Sequence, residues 1–137
     1  MTTSIQNHIN GRLSLRQPQA QSLAKLKQTL DAAPKMLKHE RDVAAVLATL
    51  KAEFPTLQDF ERDFPSLCFA LATGVGKTRL MGAFIAYLHL AHGINNFFVL
   101  APNLTIYNKL IGDFSPNTPK YVFKGIGEFA VNPPRVI

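Results

Sequence analysis

Phe69-Ala70-Leu71-Ala72-Thr73-Gly74-Val75-Gly76-Lys77-Thr78 is the stretch on which the reading of this chain turns. An apolar run of strand length, Leu67 to Ala72, leads into two glycines one residue apart. A helical stripe follows, with Leu80, Met81, Phe84, Ile85 and Leu88 at i, i+1, i+4, i+5 and i+8. The pattern predicts a strand, a tight loop and a helix. Such a loop holds phosphate because its backbone N–H groups converge on an anion and the positive end of the helix dipole faces it. Glycine is needed where the backbone turns sharply and approaches the ligand without a Cβ in the way. Lys77 is expected to reach the β- and γ-phosphates of a nucleotide, and the Thr78 hydroxyl to ligate Mg²⁺. These two are the candidate catalytic residues, and the candidate nucleotide contacts are Thr73, Gly74, Val75, Gly76, Lys77, Thr78 and Arg79. The strict spacing G-x-x-x-x-G-K-[ST] asks for glycine where Leu71 stands, so what survives is Thr-Gly-Val-Gly-Lys-Thr. The competing reading is a glycine-rich strand-to-helix turn with an incidental lysine.

The 137 residues suit one domain with a real core, and 47% apolar content is globular and not disordered. Lys and Arg number 15 against 9 acids, giving +6, which favours an anionic partner, nucleotide or nucleic acid. Cys68, the only cysteine, lies in the apolar run and is expected in the core, with no partner for an intramolecular disulfide. No signal peptide and no membrane-length apolar run are visible, so a reducing cytoplasm is the expected location, with no membrane partner.

Before the loop, residues 1 to 14 are polar and are expected to be partly irregular. Pro18 suits the first turn of a helix carrying Ala20, Leu23, Ala24, Leu26 and Leu30 on one face. A second helix is predicted from about Lys38 to Phe54, with Val43, Val46, Leu47, Leu50 and Phe54 at helical spacing. Phe60 and Phe64 are expected to pack inward. After the loop, Gly93 is placed to stop the helix. Phe97 to Ala101 reads as a second buried strand, ended by Pro102, and Asn103 can cap a short helix with Leu104, Ile106, Tyr107 and Leu110. Lys120 to Phe123 reads as a third strand and Arg135 to Ile137 as the opening of a fourth. Strands alternating with helices predict an α/β fold, a parallel sheet flanked by helices. Ligands then gather at the carboxyl ends of the strands, which puts Gly74–Thr78 and Pro102–Thr105 on one edge.

Together these pieces resemble the start of a superfamily 2 helicase-type ATPase. Leu15-Arg16-Gln17-Pro18-Gln19-Ala20-Gln21-Ser22-Leu23 is similar to that family's upstream glutamine motif, and the resemblance implies that Gln19 contacts adenine. An amide suits this, offering a donor and an acceptor. The motif's usual Pro-Tyr pair is replaced here by Gln17 and Pro18. Ala72 to Thr78 is close to the Ala-Thr-Gly-x-Gly-Lys-Thr of type I and type III restriction translocases, in which the strict first glycine is commonly absent. Val99 to Ile106 resembles the family segment that lines the nucleic-acid groove. It implies DNA-backbone contacts at Pro102, Asn103 and Thr105, polar contacts that position a strand without reading its sequence. Asn103 as a plain helix cap is an equal and compatible reading.

From Pro102 to Phe129 the chain looks most like the restriction subunit of type III restriction enzymes. The resemblance implies a P-loop NTPase with a partial RecA-like lobe over residues 65–137, preceded by a helical segment over residues 1–64. It also implies ATP and Mg²⁺ as cofactors, and DNA, the rest of the motor and a methyltransferase (modification) subunit as partners. Such an ATPase also needs an Asp-Glu pair to hold Mg²⁺ and polarise water. No Asp-Glu or Asp-Asp pair occurs here, and Asp113 and Glu128 stand alone. The expectation is therefore the N-terminal part of a larger ATP-dependent DNA motor, ending inside its first lobe and barely active by itself. A small stand-alone nucleotide-binding or phosphotransfer protein, or a non-enzymatic remnant, are the alternatives. The first is disfavoured because only Arg79 and Arg135 follow the loop, too few for an arginine lid.

Overall fold

Helix starts in this chain carry their own chemical signals. Pro18 stands in the first turn of one helix, where its missing N–H costs nothing. Asp42 accepts from the Ala45 N–H at 3.0 Å, and Asn103 accepts from the Ile106 N–H at 3.0 Å, each capping the helix it precedes. The computed structural model describes residues 2–38, 42–72, 74 and 76–137. Among these the helices are α1 Thr2–Arg12, α2 Gln17–Ala32, α3 Val43–Glu53, α4 Lys77–His92, α5 Leu104–Phe114 and α6 Gly127–Val131, with a 3₁₀ turn at Pro34–Leu37.

Helix α4 is the axis of the main core. Its Leu80, Ala83, Ala86 and Tyr87 are buried, a helical stripe that faces α1 and α2. Ile9 and Leu13 meet it from the α1 side, and Leu23, Leu26 and Leu30 from α2. Phe123, Ile126 and Phe129 close the cluster, with the Phe123 and Phe129 rings stacked at 4.4 Å between centroids. Each fully buried side chain of this size contributes about 1.5–3 kcal/mol relative to exposure. Gly82 permits the close approach of Val122, whose methyl occupies the place a Cβ would take. Ala33, Val46, Leu50 and Phe60 form a second cluster between the end of α2 and α3. Gly93, at φ +69°, stops α4 as expected.

The parallel sheet is overturned: there is no strand among the described residues. Residues 66–72 and 93–101 run as irregular chain, so the α/β class gives way to a helical architecture. The physical reason is pairing. An apolar run makes a strand only when a neighbour accepts its ladder of backbone hydrogen bonds. Phe97, Phe98, Val99 and Leu100 are 38, 89, 39 and 77% exposed, an alternation of faces with no strand alongside to bury either one. Residues 120–123 fold into turns that insert Phe123 into the helical core. Residues 132–137 carry no strand either, and Val136 and Ile137 are exposed.

Three smaller expectations also change. Residues 2–12 are helical where irregular chain was expected, because Ile9 docks against α4 and gives a weakly amphipathic segment a tertiary anchor. Cys68 is exposed, not buried, since its run joins no sheet. Phe60 packs inward as expected but Phe64 is 59% exposed. No helix among the described residues is long and apolar enough to cross a membrane.

Candidate functional site

The glycine loop runs directly into α4. Gly74 has φ +84° and Gly76 φ +80°, the left-handed region that side chains with a Cβ avoid. Gly76 is the residue before the first helical position and offers no side-chain cap to this end. The first helical bond is from the Leu80 N–H to the Gly76 carbonyl, 3.1 Å. The N–H groups of Lys77, Thr78 and Arg79 therefore have no acceptor within the helix. They lie at the positive end of a 16-residue helix dipole, beside the exposed Lys77. That donor set suits an oxyanion.

Gln19 lies against this loop. It is 2% exposed, on the first turn of α2. Its Oε1 accepts from the Arg16 N–H at 2.8 Å, and its Nε2 donates to the Gly76 carbonyl at 2.9 Å. A Cβ on Gly76 would collide with that Nε2, so the second glycine is required by the approach of Gln19 as well as by its own φ. Arg16 adds a longer bond from Nη1 to the Gly74 carbonyl, 3.4 Å. The glutamine segment and the glycine loop, 57 residues apart in sequence, are thus joined directly.

Thr78 is half-buried on the other side, and its Oγ1 accepts from Lys109 Nζ at 3.4 Å. Lys109 also pairs with Asp113 Oδ2 at 2.6 Å. Asp113 is 5% exposed, and its carbonyl accepts from the Val122 N–H at 2.8 Å. Among the described residues no group of three or more His, Cys, Asp or Glu could hold a metal ion. A divalent ion at Thr78 would take most of its ligands from phosphate oxygens and water, which is how Mg²⁺ is ordinarily held beside a nucleotide. The residues present fit Mg²⁺ with a triphosphate better than a free ion.

The remaining expected site residues divide. Arg79 turns its guanidinium to the Leu13 carbonyl at 2.7 Å, tying α4 to the end of α1. Thr73 and Val75 lie outside the described residues. Pro102, Asn103 and Thr105 are exposed together at the start of α5, with the Asn103 carbonyl oxygen engaged in the helix cap. Arg16 and Lys109 were not anticipated. Arg16 sat inside the glutamine segment, and Lys109 and Asp113 are four apart on one helix face, a pairing visible in sequence. Nothing linear brings Lys109 to Thr78, 31 positions earlier.

Burial pushes the Tyr121 phenol above its ordinary value of 10.0. Its hydroxyl donates to the Phe129 carbonyl at 3.0 Å, which fixes the turn that carries Val122 to Asp113.

A family model described as the type III restriction enzyme res subunit matches residues 12–133. No curated protein and no solved structure matches the chain. The matched span takes in Gln19, the glycine loop, α4, α5 and Asp113, so the residues that meet at the loop fall inside it. The chain belongs to the type III restriction enzyme res subunit family.

Proposed function

We propose that this chain is the nucleotide-binding part of an ATP-dependent DNA translocase or helicase of a restriction enzyme. The observation that carries the reading is a glycine loop with two left-handed glycines feeding the start of a helix, inside a family match that covers nine-tenths of the chain. Residues 65–137 supply the ATP-binding part and residues 1–64 the helical segment that braces it through Gln19. Lys77 binds the β- and γ-phosphates. The N–H groups at the start of α4 donate to phosphate oxygens, and the Thr78 hydroxyl is the protein ligand to Mg²⁺. When bound, Mg²⁺ would supply neutralising charge across those oxygens. Gln19 braces Gly76, and a contact with adenine would exchange one of its present bonds.

DNA lies near Pro102–Thr105. The Asn103 carbonyl oxygen caps α5, and its amide N–H groups and the Thr105 hydroxyl have the chemistry for phosphate oxygens. The partners on this reading are DNA, the remainder of the motor and a methyltransferase subunit. The 137 residues hold no adjacent acid pair of the kind that polarises an attacking water.

The test is Lys77→Ala in the whole restriction enzyme. ATP-driven movement on DNA should be lost while DNA binding is retained. Undiminished movement overturns the reading. For the isolated chain, weak saturable ATP binding with little hydrolysis is expected. No saturable affinity even at millimolar nucleotide would favour a loop that no longer binds.

A further inference from the structure

The Thr78 end of the loop opens on a cavity of about 550 Å³. Thr78 lines it, and so do Arg12, Arg79, Lys109, Lys120 and Lys124, with Asp113 the only carboxylate among the described residues. Five cations against one acid make this space electropositive, and it begins at the hydroxyl beside which a nucleotide's terminal phosphates would lie. Two of the five are already engaged. Arg79 is bonded to the Leu13 carbonyl, and Lys109 is held by Asp113 at 2.6 Å while still reaching Thr78 at 3.4 Å.

Lys109 is the informative one. Its side chain is 53% exposed, and that of Asp113 only 7%. The carboxylate is fixed, anchored on a helix whose Asp113 carbonyl is bonded to the Val122 amide. The ammonium sits at the end of a four-carbon stem and moves by rotating it. The Thr78 contact is long for a hydrogen bond, so the ammonium is near the hydroxyl without being committed to it. An anion of three or four negative charges at the loop would compete with a single carboxylate for this cation, across a distance of a few ångströms.

We propose that Lys109 is a second phosphate-binding lysine of the glycine loop, kept in place by Asp113 until a polyphosphate arrives. This rests on the loop being the nucleotide-phosphate site. The loop then grips its ligand from both sides, through Lys77 on α4 and Lys109 on α5. Thr105, Lys109 and Asp113 are spaced four apart along one face of α5, so the helix that presents Lys109 also presents a proposed DNA contact one turn away.

The experiment is isothermal titration of inorganic tripolyphosphate, and separately ATP, into the 137-residue chain at low salt. Wild type is compared with Lys77→Ala, Lys109→Met, Asp113→Asn and the Lys109→Met/Asp113→Asn double variant, with thermal melts to check folding. Lys109→Met should weaken tripolyphosphate about tenfold, the loss of one charge-assisted bond. Asp113→Asn should tighten it about threefold by freeing the ammonium, and that gain should vanish in the double variant. A purely structural ion pair would shift affinity the same way in both single variants or not at all, and either result overturns the proposal. A gain from Asp113→Asn that persists in the double variant also overturns it, because it would reflect removal of a negative charge alone. If Lys77→Ala loses affinity and Lys109→Met does not, the role of Lys109 fails and the loop reading stands. If Lys77→Ala binds like wild type, the loop reading fails and the role of Lys109 falls with it.

Discussion

The two sides of the glycine loop are built differently. On the α2 side, Gln19 is 2% exposed, both ends of its amide are engaged, and there is no room at Gly76 for a Cβ. On the α5 side, Lys109 is half exposed and reaches the loop by one long bond that it shares with an ion pair. One side is a wall set in the core, and the other is a movable arm. A phosphate loop needs both properties: left-handed glycines must be held in place, and charge must be free to follow an arriving anion. The core supplies the first through α1, α2 and α4, and the lightly packed α5 leaves scope for the second.

Four changes sharpen or break this contrast. Gly76→Ala should be the most damaging. It forces a Cβ into a left-handed position and against Gln19 Nε2, at a cost of about 3 kcal/mol read by thermal denaturation. Next, Gln19→Ala leaves the Arg16 N–H without its acceptor and frees Gly76, for about 2 kcal/mol, with the loop amides gaining hydrogen exchange. Lys109→Met should cost about 1 kcal/mol of stability, because the lysine is half exposed while the Asp113 carboxylate it leaves behind is nearly buried. If it cost as much as Gln19→Ala, the α5 side would be a second wall and the contrast would be lost. Tyr121→Phe should be smallest: it removes one hydroxyl bond to the Phe129 carbonyl and changes the pH dependence of stability only on the alkaline side. Burial raises the folded phenol above 10.0, so its contribution is complete below about pH 10 and falls away as pH rises through the higher folded value. The variant should show a flatter alkaline limb in a stability-versus-pH series.

The parts legible in sequence were those that local chemistry decides. The stop of α4 at Gly93 and the Asn103 cap each depend on residues a few positions apart and stand where expected, whereas the buried face of α4 is Leu80, Ala83, Ala86 and Tyr87, and of the expected stripe only Leu80 is fully buried. The adjacency of Gln19 to the loop came from the resemblance, because no spacing rule connects residues 57 apart. The sheet was misread for a definable reason. Leu67–Ala72 and Phe97–Ala101 have the composition of strands, but composition reports readiness to be buried and not the presence of a partner. Phe98, 89% exposed, shows the difference. Helix α1 was missed from the opposite cause: its apolar residues are sparse, and its stability comes from Ile9 and Leu13 meeting α4. The pairing of Lys109 with Asp113 is legible from their spacing, but the reach of Lys109 to Thr78 is not, because it is wholly tertiary.

The most direct test follows the backbone amides of Gly74, Gly76, Lys77 and Thr78 by ¹⁵N-resolved nuclear magnetic resonance as Mg-ATP is added. If these residues cradle the phosphates, their resonances shift first and furthest, saturate together, and stop responding in Lys77→Ala. Amides at the start of α4 that stay unmoved at saturating nucleotide, or a saturable response centred on another part of the chain, would contradict the assignment of this loop as the phosphate site.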